Sequence, residues 1–214
     1  MQKTENQIKE LNKIFWVFII GSVLGYIFEI IVVIFQKGHF ENRQGLIYGP
    51  LIPVYGIGGV IYYCVFKKIK TRDLWKVFLI SMILGGMTEY ISSVVQEKLF
   101  HTISWDYSYL YFNLNGRTSL LHCTYWGIAG ILYIKYIENF IDKIGVLLER
   151  KQLKVLTKFA ILFMIFNISI SGLAAIRQAK RREDIDPKNE IEILLDKYYP
   201  DEYMDNVFVN KMNK

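Results

Sequence analysis

Residues 15–40 and 75–100 read as one apolar helix written twice at an offset of sixty residues, and each copy carries a glutamate at the same place. Apolar matches between membrane helices are cheap, so the weight falls on Gly25/Gly85, Glu29/Glu89 and Gln36/Gln96. A second echo follows, because Tyr55-Gly-Ile-Gly-Gly59 returns as Trp126-Gly-Ile-Ala-Gly130 after a loop longer by eleven residues. Internal repeats of this kind recur in membrane transporters. The pattern predicts an all-α membrane protein of about five transmembrane helices, built on a duplicated two-helix repeat over residues 14–66 and 74–137.

Composition agrees with that reading. The chain is 52% hydrophobic yet 21% charged, and the charges sit between apolar blocks. Five blocks approach the roughly 20 residues needed to cross a bilayer, at about 14–36, 47–66, 74–96, 118–137 and 155–176. The second is broken by Pro50, Pro53 and several glycines, so its outer end is expected to be unwound or re-entrant, which survives at that depth only inside protein or a wet cavity. Residues 1–13 form a short N-terminal segment, 138–176 a basic loop and fifth helix, and 177–214 a polar tail with a short amphipathic helix near 190–199. The first block is too long for a signal-peptide core and has no small-residue cleavage site, so it reads as a retained span.

The net charge of +6 is placed for a membrane rather than for nucleic acid. Lys3, Lys9 and Lys13 precede the first span, Lys67, Lys68, Lys70 and Arg72 follow the second, and Lys143, Arg150, Lys151 and Lys154 follow the fourth. By the positive-inside rule the N-terminus is cytoplasmic and the loops 37–46 and 97–117 face outward. Arg177, Lys180, Arg181 and Arg182 after the fifth span resist this assignment. Either the tail is exported or one segment is re-entrant.

Steps of four residues drift by about 40° on a helix, so Gly21, Gly25 and Glu29 share a face, as do Ser81, Gly85 and Glu89. Small residues at that spacing let a neighbouring helix approach closely, with each glutamate in the seam. A bare carboxylate near the bilayer centre costs about 2.5–3.5 kcal/mol. Arg43 and Arg117, each in the loop after one of these helices, are the expected partners, since an arginine fork fits a carboxylate. Two readings stand: a structural ion-pair lock, or a polar cavity for a solute or headgroup bounded by Glu29, Arg43, Glu89 and Arg117 and gated by loops around Trp105 and Asp106. Asn115-Gly116 is a tight-turn signal that would aim Arg117 toward the following helix.

The two cysteines, Cys64 and Cys123, lie inside spans and read as buried small hydrophobes. No pair of histidines has metal-ligand spacing, so neither metal nor other cofactor is expected. Phosphate-binding, nucleophile-elbow and zinc-protease motifs are absent, so catalytic residues are unassigned and an enzyme is the less favoured class.

The Gly-x-x-x-Glu helix, the run Asn42-Arg-Gln-Gly45 with Tyr48-Gly-Pro-Leu-Ile-Pro-Val-Tyr-Gly56, Trp105-Asp-Tyr-Ser108, Asn113-Leu-Asn-Gly-Arg117 and Trp126-Gly127 occur here in order. Together they resemble the small bacterial membrane proteins called putative ABC-transporter permeases, type IV, over about residues 14–135. The resemblance implies a permease-like subunit in the bacterial cytoplasmic membrane, served by a separate ATP-binding-cassette subunit, surrounded by lipid and assembled as a homo-oligomer, with no nucleic-acid partner. The rival readings are an intramembrane enzyme acting on a lipid or isoprenoid headgroup, with a glutamate as base and the arginines on phosphate, and a non-catalytic scaffold.

Overall fold

Helix ends in this chain fall where capping chemistry puts them. The computed structural model describes residues 2–213. Helix α1 (Gln2–Lys37) has no interior proline and stops at Gly38, whose φ of 75° lets its N–H reach the carbonyl of Ile34 at 2.9 Å. Helix α2 (Pro53–Ile69) opens on Pro53, where a missing N–H costs nothing. Helix α3 (Leu74–Phe100) begins at Asp73, whose carboxylate accepts from the N–H of Trp75.

After α3 the chain forms strand β1 (Thr102–Ile103) and then a hairpin of β2 (Asn113–Leu114) and β3 (Thr118–Ser119). Asn115 and Gly116 turn this hairpin with φ of 54° and 69°, and the N–H of Arg117 closes it on the carbonyl of Leu114. Two consecutive positive φ values are what an Asn-Gly hairpin turn requires. Ser119 then caps α4 (Leu120–Leu132), which continues through a π-helical turn (Tyr133–Ile137) into α5 (Glu138–Leu147). Helix α6 (Lys151–Arg182) is followed by α7 (Glu190–Tyr198), α8 (Asp201–Val207) and strand β4 (Met212–Asn213), which pairs antiparallel with β1.

Helices α1, α3 and α6 are long and apolar enough to cross a membrane. The helical parts of the second and fourth expected blocks are shorter. Residues 47–52 stay non-helical ahead of Pro53, and the start of the fourth block is drawn into β3. Helix α1 runs on from Gln2, so the residues ahead of the first expected span continue it without a break.

Side-chain contacts fix the direction of each helix. At one end Glu10 of α1 takes Lys67 and the hydroxyl of Tyr63 from α2, Lys13 pairs with Asp142, Lys9 with Glu149, and Arg72 with Glu138. The opposite end holds the loops 38–52 and 101–119 together with the tail. Helices α1, α2, α3, α4 with α5, and α6 therefore make five alternating passes, with Lys9 of α1 at one end of the bundle and helices α7 and α8 at the other. The cations of the tail are engaged there. Arg177 grips Asp196 with two bonds of 2.8 Å, Lys180 meets Glu192, Arg181 meets Asp196 and Asp201, and Arg182 meets Asp205.

Two cores result. The main one joins Val17, Tyr62, Phe66, Val77, Trp126 and Tyr133 where α1 packs on α2 and α3 on α4. A smaller one, made of Ile47, Ala174, Ala175, Leu195, Met204 and Val207, seals the tail and the first loop onto α6. Close approach within each helix pair depends on glycine. A Cβ on Gly25 would lie 2.2 Å from the Tyr55 ring, and one on Gly85 would lie 2.1 Å from the Trp126 ring. Gly21 and Ser81 serve the same contacts one turn away: Gly21 abuts the backbone of Tyr55, and Ser81 abuts Gly130.

Candidate functional site

Glu29 and Glu89 lie within the apolar stretches of α1 and α3, on the faces where glycine admits the partner helix. Tyr55 of α2 donates its hydroxyl to Glu29 Oε1 at 2.5 Å. Glu89, 7% exposed, receives two hydroxyls: Tyr107 donates to Oε1 at 3.0 Å and Thr118 to Oε2 at 2.7 Å. The two carboxylates are within electrostatic range of one another, and Tyr55 is within range of both.

Aromatic rings hold these donors in place. The Tyr55 ring stacks on Trp126 with centroids 5.3 Å apart, joining the first helix pair to the second. Tyr107 enters from the second loop and stacks on His122 at 3.6 Å, while His122 Nδ1 meets the Ser119 hydroxyl at 2.8 Å. Burial, reinforced by the neighbouring Glu89, keeps the Tyr107 phenol well above the ordinary tyrosine range, so it remains a donor.

The arginines go elsewhere, which corrects the expected pairing. Arg43 pairs with Glu41 at 2.7 Å, and Arg117 pairs with Glu97, donates to Ser93 at 3.0 Å and lies over the Tyr90 ring. The reason is depth. Glu97 stands two turns beyond Glu89, nearer the end of α3, with its side chain 30% exposed, so its charge is cheaper to keep. Arg117 turns back to α3 rather than forward to α4.

Trp105 donates its indole N–H to the Arg117 carbonyl at 2.8 Å, Asp106 accepts from the N–H of Ser108, and Asn115 donates to the Tyr90 hydroxyl at 3.2 Å. These three residues build the second loop, and the partners named here all lie within that loop or on Tyr90 of α3. Of the seven expected polar residues, the structure brings together Glu29 and Glu89, gathers Trp105, Asp106, Asn115 and Arg117 into the hairpin above them, and leaves Arg43 with Glu41 on the first loop.

Sequence reasoning missed Tyr55, Tyr107 and Thr118 as glutamate partners. A signal existed for Tyr55, since the Tyr/Trp-Gly-Ile echo places it opposite Trp126; nothing in the sequence marked Tyr107 or Thr118. It also missed Asn167 and Ser171 on α6. Asn167 accepts from the N–H of Tyr48 at 3.1 Å and donates to its carbonyl at 2.7 Å, and Ser171 accepts from the N–H of Ile47, so the first loop is clamped by its backbone.

Two cavities are lined by residues other than the two glutamates. One of about 300 Å³ sits among Lys9, Asn12, Gly145, Glu149 and Lys154. The other, about 340 Å³, opens on the outer face of α3 and α4 between Met82, Ile83, Met87 and Leu114, with Thr118 and Cys123 in its wall.

No curated protein and no solved structure matches the chain. The family model described as putative ABC-transporter type IV matches residues 16–172, a stretch that contains both glutamates, both loops and most of α6. With three helices able to cross a bilayer, the chain is a transporter-like integral membrane protein and belongs to the putative ABC-transporter type IV family.

Proposed function

We propose that this protein is the permease-like subunit of an ABC-type transporter in a bacterial cytoplasmic membrane, moving a small solute or lipid headgroup between two duplicated helix pairs. The observation that carries this reading is the seam itself. One glutamate comes from each helix pair, both are held by hydroxyls rather than by cations, and the Tyr55–Trp126 stack joins the pairs between them. A fixed ion pair would lock the halves, whereas carboxyl groups bound only by hydroxyls can exchange these partners for a ligand. A ligand shifts such an equilibrium only by its difference in affinity between the two arrangements.

In this reading the five passes are five spans, the repeats are 14–66 and 74–137, and the N-terminus with its lysines faces the cytoplasm. The tail is then external, its cations spent on its own carboxylates. The chain carries no ATPase motif, so a separate ATP-binding-cassette subunit supplies hydrolysis, and a second copy of the chain completes the pathway. The enzyme reading is weaker, because the arginines that would hold a phosphate are engaged by Glu41 and Glu97.

Gentle affinity purification from native membranes followed by mass spectrometry tests the proposal. A stoichiometric ATP-binding-cassette subunit is the expected companion. A homo-oligomer with no ATPase would sink the transporter reading and turn attention to lipid turnover.

A further inference from the structure

Glu89 poses a problem of charge that the fold does not solve with a cation. Its side chain is buried on an apolar helix, and its hydrogen-bond partners are the hydroxyls of Tyr107 and Thr118. The other titratable or charged groups that face it are Glu29 from α1, Tyr55 from α2, and Cys123 and His122 from α4. None of these supplies a positive charge where the carboxylate needs one: His122 is turned to Ser119 and stacked on Tyr107, and Arg117 is held by Glu97 and Ser93. Glu29 makes matters worse by adding a second carboxylate within electrostatic range.

Hydroxyl geometry around Glu89 suits a neutral acid. Thr118 Oγ1 lies 2.7 Å from Oε2 and 3.6 Å from Cys123 Sγ. A hydroxyl both donates and accepts, so a carboxyl proton on Oε2 can be given to Thr118 while Thr118 gives its own to Cys123. Tyr107 continues to donate to Oε1. All three groups are then satisfied. A carboxylate would leave Thr118 turned inward and the buried charge without a counter-ion, which is costly in low dielectric.

We propose that Glu89 is a proton-binding site: it holds a proton in this arrangement of the helices, and releasing that proton sets two carboxylates against each other across the seam and drives the helix pairs apart. The inference rests on the proposed transport role for its purpose, but not for its chemistry. Release leaves a carboxylate on Glu89 and passes the proton to water, with no other bond changed.

Infrared spectroscopy of the full-length protein in lipid nanodiscs at neutral pH tests it directly. The wild type is expected to show the carbonyl band of a buried, protonated carboxylic acid, shifted in deuterium oxide. That band should be lost completely in Glu89→Gln, which keeps the size and can still accept from Tyr107, and kept in Glu29→Gln. Thr118→Val should leave the band in place but move it, because the acid loses its acceptor, so a folding failure in one variant does not remove the test. Absence of the band in wild type at neutral pH, or its loss in Glu29→Gln rather than Glu89→Gln, would overturn the proposal. The measurement uses the chain alone. A missing ATPase partner with the band present would sink the transporter reading only, and the reverse result would sink only the proton.

Discussion

The two helix pairs solve the same packing problem with different side chains, and the difference shows where each half can move. In the first pair Gly25 receives Tyr55, a ring that also carries the hydroxyl for Glu29. In the second pair Gly85 receives Trp126, which fills the space but faces Glu89 with no hydroxyl, so the donors come from the second loop and β3 instead. The first glutamate is thus bound within its own helix pair. The second is bound by residues outside its pair's helices, and any movement of the loop changes its partners.

The loops differ in the same sense. The first is fastened to α6 through Asn167 and Ser171, whereas the second is shaped by its own Asn-Gly turn and hooked to the tail by the β1–β4 pairing and by Asn210, which donates to the carbonyl of Ser104. The first loop meets the tail as well, where Asn42 donates to the Val207 carbonyl and the Tyr48 hydroxyl meets that of Tyr199. Its backbone, however, is clamped by α6, while the backbone of the second is strapped to the tail by strand pairing.

Deleting each seam ring gives the largest expected contrast. Trp126 is 8% exposed and packs against Gly58 and Gly85 as well as Tyr55. Trp126→Ala should cost about 3–5 kcal/mol, read as a fall in thermal unfolding temperature in detergent. Tyr55→Ala should cost less, because Tyr55 is only half-buried. Equal losses would mean that the rings are interchangeable fillers and the asymmetry is cosmetic.

Next come the glycines. Gly85→Ala and Gly25→Ala each force a methyl into a ring about 2 Å away, and overpacking of this kind costs about 1–3 kcal/mol. Gly85→Ala should be the worse, since an indole also wedged against Gly58 has less room to retreat than the partly buried ring of Tyr55. Differential scanning fluorimetry on the two variants side by side checks the ordering.

Asn167→Ala should act on the first half alone. It strips both backbone partners from Tyr48, at about 1–3 kcal/mol for groups left unpaired. Hydrogen exchange should speed up at residues 46–50 while residues 102–119 stay protected; loosening of both loops together would show that α6 braces the whole outer end.

These contrasts bear on what the sequence made legible. The apolar blocks and the two glutamates could be read because bilayer thickness dictates run length and because a charge inside such a run is conspicuous. The glycine faces could be read because four-residue spacing is a property of one helix. The partners of the glutamates could not, since Tyr107 and Thr118 reach Glu89 through a loop and hairpin whose path depends on the tertiary fold. The arginine pairing failed because each arginine met an acid nearer its own loop: Arg43 pairs with Glu41 two residues away, and Arg117 with Glu97 near the end of α3 rather than with the buried Glu89. The polar face of α6 was missed because Asn167 and Ser171 bind backbone, and backbone leaves no mark on sequence.

The smallest expected effect concerns the strap on the second half. Lys211 stands beside β4, donates to Gln178 at 3.0 Å and lies over the Phe208 ring. Burial, helped by the nearby Arg182, lowers its ammonium from 10.5 to about 8. Between these two values the undocked tail binds more protons than the docked one, so docking strengthens as pH rises through that window and is unchanged by this group outside it. With partial screening by solvent, the gain should be of order 1 kcal/mol. Hydrogen exchange at residues 102–104, corrected for the intrinsic rate at each pH, should therefore slow from neutral toward alkaline buffer, while residues 46–50 on the α6 clamp show no such trend. Lys211→Met removes the titrating group, so it should abolish the slope and leave the alkaline protection in place. If the slope survived that substitution, the strap would be governed by other groups, and Lys211 would not be what distinguishes the second loop from the first.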